Sequence, residues 1–139
     1  MNKNKLNMVN WSIFILVILA GIITAGITVY ELNLPPTFPD DAQSRMEFRW
    51  GFLHTILSIV MLVISIPVVI RWKRLSPFNI PIAIIIAGFG YELFFLTFTV
   101  GWVGIQGMLG FVVAFLVGVI LIVSYSVAIL IDHRKAINK

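Results

Sequence analysis

Four long apolar runs constrain this chain more than any other feature. They cover 11–30, 50–70, 80–100 and 107–131, and Glu92 is the only charged residue inside them. A helix rises 1.5 Å per residue, so about 20 apolar residues cross the roughly 30 Å hydrocarbon core of a bilayer. Open strands would leave backbone groups unpaired in lipid, so each run is predicted as a helix. The fold class is therefore all-α, a four-transmembrane-helix bundle forming one integral membrane domain over residues 1–139. Composition points the same way. The chain is 60% hydrophobic and 12% charged, against roughly 25% charge in an average soluble domain. That excludes a soluble enzyme, a disordered chain and an ordinary nucleic-acid-binding domain. With no cysteine, thiolate metal sites and disulfides are excluded as well.

The basic residues sort by side. Lys3 and Lys5 precede the first run; Arg71, Lys73 and Arg74 join the second to the third; Arg134, Lys135 and Lys139 follow the fourth. Only Arg45 and Arg49 fall on the other side. The positive-inside rule then places both termini in the cytoplasm. The net charge of +4 is thus read as a topology signal, and nucleic acid is not expected as a partner. The first run is longer than the 7–15 residues of a signal-peptide core, so it is read as a retained helix. A multi-pass protein of a prokaryotic cell membrane is the expected setting. Residues 31–49 form the only substantial outer loop, with Pro35, Pro36 and Pro39 stiffening it. Trp11, Tyr30, Trp50, Trp72 and Trp102 fall near the predicted helix ends, as interfacial aromatics do.

Lipid gives no hydrophobic drive between helices, so small residues mark close approach. Gly110, Ala114 and Gly118 form such a stripe on the fourth run, Gly21 and Ala25 on the first, and Ala83 and Ala87 on the third. These stripes suit packing within the chain or a homodimer. The second run instead carries His54, Ser58, Met61 and Ser65 at spacings that share one helical face, predicted to point into the bundle.

Two residues inside the apolar runs carry potential chemistry. Glu92 sits about 12 Å below the outer boundary, where a carboxylate must be protonated, paired or beside water. A structural hydrogen bond, a proton relay and contact with a bound cofactor or quinone are all open to it. His54 lies about 6 Å inside the same boundary. It suits either a hydrogen-bonding core residue or a ligand to heme iron or another metal. Thr24, Thr28, Thr97 and Thr99 lie in the same outer half. Phosphate loops, zinc motifs and nucleophile elbows do not occur.

The stretch Leu19-Ala20-Gly21-Ile22-Ile23-Thr24-Ala25-Gly26, followed by Leu32-Asn33-Leu34-Pro35-Pro36-Thr37-Phe38-Pro39-Asp40, resembles the outer segment after the first helix of a half-repeat in heme A synthases. Glu47 upstream of His54, the basic turn Arg71-Trp72-Lys73-Arg74 and the close Leu96-Thr97-Phe98-Thr99-Val100 are similar to the same four-helix half. The resemblance implies heme or a respiratory context. It makes His54 the axial ligand. Met108, standing where the family places its second histidine, becomes the opposite ligand, and Glu92 lies beneath the ring. The implied role is a heme-binding, accessory or assembly component of a redox membrane complex. A non-catalytic structural subunit packed on a larger membrane enzyme, or a small transporter, is the alternative. Expected partners are the bilayer and either other membrane subunits or further copies of the chain.

Overall fold

The computed structural model describes residues 3–35 and 44–137. Its element order is α1 (Lys3–Leu32), β1 (Arg45–Met46), α2 (Phe52–Ile70), α3 (Asn79–Phe98), β2 (Thr99–Val100), a 3-10 turn (Gly101–Val103) and α4 (Gly104–Ile137). All four helices are long and apolar enough to cross a membrane, and the protein is a four-helix multi-pass membrane bundle. Pro36, Pro39, Asp40, Asp41 and Lys139 lie outside the described residues.

The helices match the apolar runs, with instructive differences at their ends. α1 begins at Lys3 and α4 runs on to Ile137, beyond the apolar stretches at the end carrying both termini. A helix already formed in lipid continues into polar sequence because each further residue adds one backbone hydrogen bond. At the opposite end, hereafter the loop end, α3 stops at Phe98 and Thr99–Val100 pairs antiparallel with Arg45–Met46. Gly101 then turns the chain with φ of 80°, the left-handed region that favours glycine, and α4 starts three residues before the apolar run.

α3 is the central helix and packs against α1, α2 and α4. Its Ile80, Ile84 and Phe95 are fully buried. Ile80 and Ile84 meet Ala114 of α4, with Ile13, Phe14 and Val17 of α1 and Val117 and Leu121 of α4 around them. The α3–α4 contact is close because small residues face it. A Cβ added to Gly88 would lie 2.6 Å from that of Ala114; one at Gly107, 2.6 Å from that of Phe95; one at Gly118, 2.5 Å from Ile85 Cγ1 and 2.9 Å from the Pro81 carbonyl. The predicted stripe on the fourth run is therefore an intramolecular seam. On α2, His54, Ser58, Met61 and Ser65 are half-buried while Leu62, Val63, Ile66 and Val69 are exposed, so the polar stripe faces the bundle as its spacing predicts.

Candidate functional site

The loop end holds most of the bundle's polar side chains, and the carbonyls that close α3 organise one side of it. A helix leaves its last four C=O groups without partners inside the helix. Here each of the four has one. The Phe95 carbonyl accepts from the Thr99 amide and from the Thr99 hydroxyl at 2.6 Å. The Leu96 carbonyl lies 3.1 Å from His54 Nε2. The Thr97 and Phe98 carbonyls accept from the amides of Arg49 at 2.7 Å and Glu47 at 3.1 Å. The segment entering α2 thus binds the end of α3 along its backbone, and the His54 ring completes the set.

His54 Nδ1 accepts from the Gly51 amide at 3.1 Å, which caps the start of α2. With Nδ1 accepting, Nε2 carries the proton and donates to Leu96. Both ring nitrogens are therefore engaged, and neither has a lone pair free for a metal. Glu92 lies on the α4 side of α3, where a Cβ at Gly107 would approach its Cα to 3.3 Å. His54 bonds to Gly51 and Leu96 instead of to Glu92. The ion pairs among the described residues are Glu47 with Arg45 and Arg49, on the exposed outer segment. Met108 is 60% exposed on α4. α2 and α4 pack chiefly on α3 rather than on each other. With both ring nitrogens bonded, His54 in this arrangement does not fit as a heme ligand. Among the described residues no group of three His, Asp or Glu side chains converges to hold a metal ion.

A second polar layer lies on the other side of α3. The Tyr91 hydroxyl is 2.9 Å from Thr24 Oγ1 of α1. A Cβ at Gly110 of α4 would overlap the Tyr91 ring, and one at Gly21 of α1 would sit 3.6 Å from it. The ring therefore bridges two glycines on the flanking helices. One turn closer to the loop end, Thr28 Oγ1 lies 2.8 Å from Gln106 Oε1 of α4 and 2.9 Å from the Thr24 carbonyl. At the far end of the bundle Asn10 donates to the Pro77 carbonyl at 3.3 Å and accepts from the Tyr125 hydroxyl. α1 and α4 are thus tied twice. The ties are 18 residues apart on α1 and 19 on α4, about 27–29 Å at the helical rise. Between them the two helices stand apart over α3, leaving a lateral groove of about 820 Å³ lined from Leu16 to Glu31 on α1 and from Gln106 to Ala114 on α4.

Sequence reasoning placed Thr24 and Thr28 in the outer half but missed Tyr91, Gln106, Asn10 and Tyr125. Tyr91 and Tyr125 are polar groups inside apolar runs, which was the available signal. Comparison with protein-family models, curated proteins and solved structures gave no match for this chain.

Proposed function

We propose that this chain is a non-catalytic accessory component of a larger membrane assembly. The observation that carries the reading is the use of its intramembrane polar groups. Asn10, Tyr125, Thr24, Tyr91, Thr28, Gln106 and His54 all form hydrogen bonds between helices or across their ends. Such bonds hold a bundle in one arrangement, whereas catalysis needs groups that converge on a reacting atom. The resemblance to one half of heme A synthases supports a redox or respiratory membrane as the setting. A heme role for His54 would require the ring to give up the Gly51 amide that now occupies its one lone pair, so scaffolding is the better-supported reading.

Two measurements test this. Native electrophoresis of the tagged chain from its own membrane should show it in an assembly well above its own 15.6 kDa plus detergent. A monomer at every detergent concentration would overturn the accessory role. In a strain lacking the chain, His54→Gln and Glu92→Gln should restore growth as the parent does. Loss of complementation by a variant that keeps its parent's melting temperature would indicate chemistry at that residue. A Soret band in the purified chain, lost in His54→Ala, would restore the heme reading.

A further inference from the structure

We infer that the groove between α1 and α4 is a binding site for a long-chain amphiphile with an uncharged, hydrogen-bonding head. Its volume of about 820 Å³ falls within the roughly 300–1,000 Å³ of small-ligand sites. The groove is also amphipathic along its length. Thr24, Tyr91, Thr28, Gln106 and Glu31 line its loop end, while Leu16, Val17, Ala87 and Val113 line the part toward the membrane centre. From Thr24 to Leu16 the helical rise gives about 12 Å of apolar wall. A molecule seated here keeps its head near the loop-end surface and its chain parallel to the lipid tails.

The shape selects a slender occupant over a helix. A partner helix about 11 Å across with its side chains would need α1 and α4 to stand apart along their whole length. The ties at Asn10–Tyr125 and Thr28–Gln106 also fix the separation of α1 and α4 at both ends, so a partner helix has no continuous path between them.

The head chemistry follows from the donors and the charge. Thr28 has one hydroxyl proton for two acceptors in reach, the Thr24 carbonyl and Gln106 Oε1. With that proton on the Thr24 carbonyl, the Gln106 amide turns to donate one Nε2–H to Thr28 Oγ1, which leaves its second N–H and its carbonyl oxygen free for a head group. Thr24 Oγ1 donates to the Ala20 carbonyl at 2.9 Å, so the Tyr91 hydroxyl donates to Thr24 and its oxygen remains able to accept. A hydroxyl head, both donor and acceptor, matches this pair. Glu31 is the charged residue lining the groove, and neither Lys nor Arg lines it. An anionic head would face a carboxylate with no compensating cation.

The test is photolabelling of the full chain in phosphatidylcholine nanodiscs with a diazirine-bearing oleyl alcohol. Crosslinks should concentrate in 16–31 of α1 and 106–114 of α4. Unlabelled oleyl alcohol or geranylgeraniol should suppress them, the stronger competitor identifying a linear or a branched chain, and oleate should need at least tenfold higher concentration. Ala25→Phe, which places a ring in the groove, should reduce labelling of these peptides at least tenfold. If that variant fails to fold, competition on the unaltered chain still decides. Labelling spread evenly over the exposed face of α2 at Ile59 and Val63, insensitive to competitor, would overturn the site. Equal competition by oleate would overturn the uncharged head. Disulfide formation between two copies of an Ala25→Cys variant in the same nanodiscs would overturn the proposal by showing a second chain in place of the amphiphile.

Discussion

Gly88→Ala is a sharp test of how α3 and α4 are held together. The added methyl would sit 2.6 Å from the Ala114 Cβ, where carbon atoms ordinarily stay about 3.5–4.0 Å apart. Neither group has a rotamer with which to move aside, so the helices must part by about 1 Å. Overpacking of this kind costs roughly 1–3 kcal/mol. The better helix propensity of alanine offsets about 1 kcal/mol. The net expectation is a loss of about 1 kcal/mol for Gly88→Ala alone. Ala114→Gly alone should lose about 1–2 kcal/mol, from propensity and one buried methyl. The double variant merely moves the methyl from one helix to the other. Its propensity terms cancel and its clash is gone, so it should lie near the parent, a coupling of about 2–3 kcal/mol. Unfolding by sodium dodecyl sulfate from a mild micelle, followed by tryptophan fluorescence, measures all four corners. A double variant as unstable as the sum of the singles would refute this account of the seam.

Further outcomes follow from the polar contacts. His54→Ala leaves the Leu96 carbonyl and the Gly51 amide without partners and should cost about 1–3 kcal/mol, read by the same unfolding titration. Tyr91→Phe removes the bond to Thr24 but keeps the ring between Gly21 and Gly110. It should cost only about 0.6 kcal/mol, the usual scale for a hydrogen bond between membrane helices, and a loss several times larger would mean that the hydroxyl does more than join α1 to α3. Thr97 Oγ1 is buried without a partner, so Thr97→Val should raise stability by about 1 kcal/mol; a fall would show that the hydroxyl has an acceptor. Cysteine at Gln43 should react with an impermeant thiol reagent in intact cells and cysteine at Leu75 should not; the reverse pattern would invert the orientation read from the basic residues.

The helices were legible because crossing a membrane imposes a length and an apolarity that few other structures share. The seam was legible too, since Gly110, Ala114 and Gly118 recur at helical spacing. The short strand pair was not. Two residues on each side carry no periodicity, and Arg45–Met46 joins Thr99–Val100 only because the ends of α2 and α3 are already neighbours. The groove was hidden for a related reason. Periodicity says which face of a helix is buried but not which pair of helices stands apart. Tyr91 lies in an apolar run, and its meaning appears only when Gly21 and Gly110 from two other helices reach its ring. His54 shows the opposite limit. Its position in α2 was plain from the sequence, but its partners are a backbone carbonyl of α3 and a backbone amide beside it, and backbone groups have no sequence signature.

Asn10 makes the first helix dependent on the last. Its partners are the Pro77 carbonyl, 67 residues downstream, and the Tyr125 hydroxyl, 115 residues downstream. While the chain is being synthesised, α1 enters the bilayer with an amide that has neither partner. Such a group is costly in apolar surroundings, so the start of α1 stays near the wet interface until α3 and then α4 arrive. Insertion of α4 is thus the event that seats α1. A chain interrupted before Tyr125 lacks the hydroxyl that Asn10 accepts from in the finished bundle.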